Sequence, residues 1–379
     1  MDPFPVYEPE KRCARIGAEI VNVADTVQRF IGTAGAREGA GVKRPTIADI
    51  ARRAGVSKGA VSYALNGRPG VSEETRARIR AIAQEVGWRP NVAARSLSGA
   101  RADAIGLVLS RPARFLGVEP FFMELVSGVE DELAASSCAL MLQVVPDRQA
   151  EIAVYRRWWG EGRVDGAILV DLCAADPRVA EVERLGMPAV VAGHPSGAGP
   201  LPAVWSDEAA VMGEVIGYLA ALGHRRVARV AGLPALLHTR IRDEAFARGC
   251  AAAGLGGHPV AHTDYTGEEG ARATRLLLSA RPRPTAIVYD NDIMAVAGLS
   301  VAQEMGLAVP AGLSIVAWDD SPLAQVVRPP LTAVTRDVPA YGAHAARTLL
   351  RVIAGERPDG APEPPARLLP RGSTAPFSS

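Results

Sequence analysis

Apolar positions recur with two different periods along this chain, and the period changes near residue 100. In TIADIARRAGVS, Ile47, Ile50, Ala51 and Ala54 follow the i, i+3, i+4, i+7 spacing that gathers them on one helix face. Thr46 suits the N-cap, with Asp49 three residues on, and Gly55 suits the stop. After a turn, Ser57 caps a second short helix, KGAVSYAL, ending at Asn66-Gly67. Its inward positions are Val61 and Leu65, which leaves Lys58, Gly59, Ser62 and Tyr63 on the opposite side. A third helix begins at Ser72, has Glu73 and Glu74 at its positive dipole end, turns Ile79, Ile82, Ala83 and Val86 inward, and stops at Gly87. Two helices joined by a tight glycine turn and closed by a third predict a helix-turn-helix. The NVAARSLSG stretch after Pro90 is shorter than the ~12–15 residues at which an isolated helix becomes marginal, so it is expected to order only on docking.

From Ala104 short apolar runs alternate with amphipathic stretches. AIGLVL, ALMLQVV, VDGAILV and PAVVAG come first, then RVARVAG, PVAHT, TAIVYD and SIVAWD; helices are predicted around Phe121 to Ala135 and from Asp207, His238, Gly267 and Asp292. Such alternation predicts an α/β fold with parallel sheets covered on both faces. The number of runs calls for two lobes, and ligands of open parallel sheets bind at the carboxyl ends of strands, so the cleft between lobes is the expected pocket. Phe121, Phe122, Asp171, His194, Asp207, Arg242, Tyr265, Asn291 and Asp319 stand near those ends. Aromatics with arginine, asparagine and aspartate are the means to stack on a sugar ring and share bidentate hydrogen bonds with its hydroxyls. By spacing alone each polar residue reads equally well as a helix cap.

Composition adds one asymmetry. The 379 residues are 48% hydrophobic and 22% charged, ordinary values for globular domains. The net charge of +1 conceals twelve Lys/Arg against four Asp/Glu between Lys43 and Arg101, a module of +8 attached to an acidic remainder. A polyanion is the expected partner of that module. The opening MDPFPVYEPE lacks a secretory signal's basic start and apolar core, and no apolar run approaches the ~20 residues that span a bilayer, so a cytoplasmic location without membrane contact is expected. Cys13, Cys138, Cys173 and Cys250 are scattered, which suggests neither disulfides nor a zinc site, and no cofactor is expected. His258 and His262 are separated by a helix-disfavouring Pro259, Gly254 to Gly257 lack nucleotide-loop spacing, and Trp158 and Trp159 read as lobe packing. No nucleophile with its base is visible, so an enzyme is not expected.

The stretch TIADIARRAGVSKGAVSYALNGRPGVSEETRARIRAIAQEVGWRPNVAARSLSG, followed by AIGLVL, resembles the lactose/galactose repressor (LacI) family, and the similarity runs from about Lys43 to about Arg371. The resemblance implies an N-terminal all-α helix-turn-helix domain followed by a two-lobed, periplasmic-binding-protein-like α/β domain. It implies that Lys58, Gly59 and Tyr63 read bases and that Leu97, in a hinge helix, wedges into the minor groove. Thr46, Ser57, Ser62, Asn66, Arg76, Asn91, Ala94 and Arg95 complete the implied DNA-binding set. Gly59 departs from the usual side-chain reader, and Tyr63 stands where arginine or histidine is frequent. In the second domain HTRIRDEAF implies that Arg242 grips a ligand; YDNDIMA and AWDDSP bring in Asn291 and Asp319. Phe122 and Tyr265 match aromatic walls, and Arg336 and Val338 sit on a crossover near the site.

The implied function is ligand-responsive transcriptional regulation: a homodimeric repressor of carbohydrate-utilisation genes, on a pseudo-palindromic operator in double-stranded DNA, answering a sugar effector. The alternatives are a non-sugar effector such as a nucleobase, or a ligand-binding protein with no DNA role. The expected plan is an extension over 1–42, disordered or the product of a start assigned upstream of Val42, though Glu10 to Phe30 has helical spacing. The helix-turn-helix follows over 43–89, a hinge over 90–101, the effector-binding and dimerisation domain over 102–371, and a tail over 372–379.

Overall fold

The computed structural model describes residues 45–88, 101–111 and 119–377. The readings made for residues 1–42 and for the hinge, including Asn91, Ala94, Arg95 and Leu97, lie outside the described residues. The chain divides into two compact units at Pro90/Asn91.

The first unit is three helices: α1 (Ile47–Ala54), α2 (Lys58–Leu65) and α3 (Glu73–Glu85). Thr46 and Asp49 close a capping box on α1, Gly55 ends it at φ +65°, and Ser57 and Ser72 cap the next two helices. Ile50, Val61, Ala64 and Ile79 are fully buried between them. Leu65, expected inside, is only half-buried, because Ala64 takes the deep position at the crossing.

The second unit has two lobes. In the first, β1 (Ala104–Ser110), β2 (Ala139–Val145), β3 (Gly166–Leu169), β4 (Ala189–Ala192), β5 (Ala203–Trp205) and β11 (Ala361–Pro362) form a parallel sheet in the order β11-β5-β4-β3-β1-β2. It is covered by α4 (Pro120–Ala134), α5 (Arg148–Gly160), α6 (Pro177–Leu185) and α12 (Val338–Ile353). In the second lobe β6 (Val227–Ala231), β7 (Val260–His262), β8 (Ala286–Tyr289), β9 (Ser314–Trp318), β10 (Thr332–Thr335) and β12 (Arg367–Leu369) order as β12-β10-β9-β8-β6-β7, with only β12 antiparallel. Its helices are α7 (Glu208–Ala221), α8 (Leu237–Ala252), α9 (Gly267–Ser279), α10 (Asp292–Glu304) and the short α11 (Pro322–Val326).

The chain therefore crosses between lobes three times, after β5, after β10 and between β11 and β12. The second crossing sends α12 back against α4 of the first lobe at very close range. A Cβ on Gly128 would lie 1.8 Å from the Pro339 carbonyl oxygen, and one on Gly342 2.2 Å from that of Leu125. Trp158 packs inside the first lobe as expected, and Trp159 donates its indole N–H to the Leu185 carbonyl at 2.9 Å.

The expected tail over 372–379 needs correction for its described part. Ser373 is fully buried, and the Ile315 amide donates to its carbonyl at 2.9 Å. Phe377 donates its amide to the Leu222 carbonyl at 2.7 Å and stacks on His224. Residues up to Phe377 thus close the second lobe rather than trail from it.

Candidate functional site

Strand ends and helix starts of both lobes converge on one cleft, with about 860 Å³ of empty space including its open mouth. Of the residues singled out for a ligand, Phe121, Phe122, Asp171, His194, Arg242, Tyr265, Asn291, Asp319 and Arg336 line it, whereas Asp207 does not: it is exposed and caps α7 by accepting from Ala210 N at 2.9 Å. Their local backbone is unusual. Asp171, Tyr265 and Asp319, each shortly after a strand, adopt left-handed φ values of +53°, +71° and +69°. Aspartate tolerates that region; for tyrosine it costs about 1–3 kcal/mol that surrounding contacts must offset. The ring of Tyr265 lies on bare backbone, because a Cβ at Gly232 would come 1.8 Å from Tyr265 Cζ. His238 Nε2 and Thr239 Oγ1 hold the phenol at 2.7 and 3.0 Å.

Several charged groups that meet these residues were missed in the sequence. Arg111 donates Nε and Nη2 to one oxygen of Asp171 at 3.0 and 2.8 Å, and Nη1 to Glu119 at 2.9 Å. Its guanidinium lies 4.8 Å from the ring centre of Phe122 in its own lobe and 5.2 Å from that of Tyr265 in the other. Arg242 is buried, ion-paired to Glu208 and stacked 4.1 Å over Trp318. Arg336 stands between Glu208 at 3.5 Å and Asp319 at 3.4 Å, with its Nε–H buried and unpartnered. Asp290 is held by Arg229 through two bonds of 2.8 and 2.7 Å.

Asn291 is spent locally: its amide oxygen caps α10 by accepting from Met294 N at 2.9 Å, and its nitrogen donates to the Tyr265 carbonyl at 3.0 Å. It positions Tyr265 and keeps little capacity for anything else. His194, at the rim, caps a 3-10 turn through Ser196.

Burial and neighbouring charge set the protonation of the cleft. Burial opposes ionisation of Asp171, yet the Arg111 guanidinium holds it below the usual carboxylate range. Glu119 has less compensation, and burial raises it to about 7. Burial also raises Asp319, and it lowers His238 to about 4, so that imidazole is neutral near pH 7.

On the first unit, Lys58, Gly59 and Tyr63 are exposed along α2, with Ser62 half-buried beside them. Thr46 and Ser57 use their hydroxyls as caps, and Asn66 donates to Ser62 Oγ at 3.3 Å. Arg76, expected on the DNA face, needs correction. It is 7% exposed and donates to the carbonyls of Tyr63, Ala64 and Arg68 at 3.4, 3.2 and 3.0 Å. Tyr63 and Ala64 lie in the last turn of α2 and Arg68 just beyond it; the Tyr63 oxygen also accepts from Arg68 N at 2.9 Å, and a guanidinium from α3 serves all three carbonyls.

Comparison with known proteins follows the same division. Residues 46–91 match the profile described as "Bacterial regulatory proteins, lacI family", and residues 216–374 match the "Periplasmic binding protein-like domain". The HTH-type transcriptional regulator CelR of Thermobifida fusca is 32% identical over 83% of this chain and 93% of its own length. A LacI family transcriptional regulator from Bifidobacterium animalis subsp. lactis is 40% identical, with a TM-score of 0.69 over 74% of this chain and 100% of that one. The CelR–cellobiose complex is 30% identical, with a TM-score of 0.67 over 87% of this chain and 100% of that one.

Proposed function

Because the chain belongs to the LacI family of bacterial regulatory proteins, and is thereby a ligand-responsive DNA-binding transcriptional regulator, we propose that it represses carbohydrate-utilisation genes by binding operator DNA as a homodimer and answering a sugar held in the inter-lobe cleft. The observation that carries the reading is that one chain combines an exposed polar face on α2, Lys58 to Tyr63, with a cleft where aromatic rings and paired charges meet. A sugar ring presents an apolar face to such rings and hydroxyls, which both donate and accept, to such charges. The relative solved with cellobiose supports a carbohydrate for this cleft as well.

The cleft is read as a binding site and not a catalytic one. Its acids and arginines neutralise one another, and the relatives are regulators. Among the described residues no helix is long and apolar enough to cross a membrane; a regulator that works on the chromosome is placed in the cytoplasm. The test is selection of bound fragments from genomic DNA by the full chain, followed by release or retention measured with cellobiose and other sugars added. Enrichment of a palindromic site whose occupancy changes with a sugar is expected. Absence of any enriched sequence would overturn the DNA reading.

A further inference from the structure

The cleft is rich in charge, yet its cations are already committed. Arg111 is shared by Asp171 and Glu119; Arg242 is paired to Glu208; Arg336 lies between Glu208 and Asp319. With Asp290, which Arg229 holds, four arginines face five carboxylates, one of them Glu119 raised to about 7, and His238 contributes no charge near pH 7. The surroundings exclude water well enough that Glu208 and Asp290 are at most 8% exposed.

Two consequences follow for whatever enters. A phosphate or carboxylate placed here meets acids that repel it at low effective dielectric, and beyond the single free Nε–H of Arg336 it can engage a guanidinium only by displacing that group's present partner. The displaced carboxylate would then be buried without compensation. Hydrogen-bonding chemistry points the same way. Ionised carboxylates accept only, so a ligand must bring donors, and phosphate and carboxylate oxygens bring none. Hydroxyl groups bring one donor each and can also accept from the buried, unpartnered Nε–H of Arg336.

We propose that the effector is an uncharged, polyhydroxylated sugar, and that the cleft discriminates against the phosphorylated or uronic acid form of the same sugar. This rests on the reading of the cleft as a carbohydrate site. It divides sugars that enter a cell unmodified from those that arrive phosphorylated, and it takes the former as the signal.

The test uses the full chain and matched probes. Neutral mono- and disaccharides, glucose, maltose and cellobiose among them, are compared with their phosphates and with uronates by thermal shift and calorimetry, at constant ionic strength. At least one neutral sugar is expected to stabilise the protein, and its phosphate to bind about tenfold more weakly or worse. Inorganic phosphate alone is expected to produce no shift beyond that of chloride. Tight binding of a phosphorylated sugar or uronate would overturn this inference and leave the carbohydrate reading standing. Failure of every sugar, charged or not, would overturn both. At pH 8, above the raised value of Glu119, Glu119→Gln and Asp319→Asn each remove negative charge, so the preference for the neutral form over its phosphate should narrow in both. A preference unchanged in both variants would refute the electrostatic origin assigned to it.

Discussion

Leu237, at the start of α8 in the second lobe, donates its amide to the carbonyl of Leu172 in the first lobe at 2.8 Å. Cys173 and Leu236 pair beside it as an isolated antiparallel bridge. The clasp is backbone to backbone, so it closes the lobes without using any cleft side chain. Leu237→Pro deletes the donor at the first helical position, where proline is tolerated. Leu236 already has the extended conformation, φ −77° and ψ 137°, that a residue before proline requires. The variant is expected to fold, to show a larger radius of gyration by X-ray scattering, and to bind its ligand roughly 2- to 10-fold more weakly, as loss of about 0.5–1.5 kcal/mol implies. Leu237→Ala keeps the amide and isolates the contribution of the side chain. Wild-type scattering and affinity in the proline variant would show that the clasp does not hold the lobes.

Glu119 confers a pH dependence of known sign. Its carboxyl is raised from 4.5 to about 7, by burial first and by neighbouring acids next, against the pull of Arg111. The folded state therefore holds its proton more tightly than the unfolded state does. The corresponding stabilisation is complete below about pH 4.5 and is lost as pH rises through 7. Melting temperatures of wild type and Glu119→Gln, compared at each pH from 4.5 to 8, should diverge across that window, with wild type losing ground as pH rises. A difference that stays flat would contradict the raised value.

Arg76→Ala should act on the fold of the first unit. The carbonyls of Ala64 and Arg68 lose this donor and that of Tyr63 keeps only Arg68 N, each lost bond worth about 0.5–1.5 kcal/mol in net terms, and more where an oxygen stays buried and unpaired. Faster amide exchange in the last turn of α2 is expected, together with weaker binding to every DNA sequence. Arg76→Lys should rescue little, since one ammonium cannot reproduce the fork. Normal exchange protection in Arg76→Ala would return this residue to the surface role first expected of it.

Lys58 and Tyr63 are exposed on α2, and their individual loss should change which bases are preferred, by about 1–3 kcal/mol per lost contact. Selection from a random DNA library with Tyr63→Ala or Lys58→Ala measures this. The same preferred site in wild type and variant would remove that residue from the reading surface.

Gly128 and Gly342 bring the backbones of α4 and α12 into contact. Alanine at either position must push the helices apart, at a cost of about 1–3 kcal/mol or more, visible as a lower urea midpoint. The double variant should lose less than the two single losses combined, because one separation serves both. A midpoint within error of wild type would mean that the helices relax without cost.

Periodicity carried much of this into view. Ile47, Ile50 and Ile79 mark helix faces, and runs such as AIGLVL and SIVAW are apolar enough to announce buried parallel strands. Strand ends led to eight of the nine cleft residues and, wrongly, to Asp207, while Arg336 came from the family resemblance. Missed were elements too short or too mixed to show a period: β10 is TAVT, β11 is AP and β12 is RLL, each beside prolines or arginines that read as loop. Arg111 and Asp290 obey the same strand-end rule as Asp171, but their importance lies in partners 60 and 61 residues away, Asp171 and Arg229, which no local pattern links. Arg76 misled for a related reason. A basic residue on a helix looks solvated until a neighbouring helix end is known to lie over it.

The three crossings between lobes bear on how the protein is made. A ribosome lays down β1 to β5 and α4 early, yet the apolar layer over Ile105, Leu107, Ile168 and Val190 is completed only by α12, which begins at Val338. Nearly the whole chain must leave the exit tunnel before the first lobe can close over its apolar face, and such faces attract aggregation while they wait. The three-helix unit, by contrast, is complete by Trp88. A message broken anywhere between these points yields a chain that carries the reading helix but has no finished sensor, so the late arrival of α12 ties the power to respond to the completion of translation.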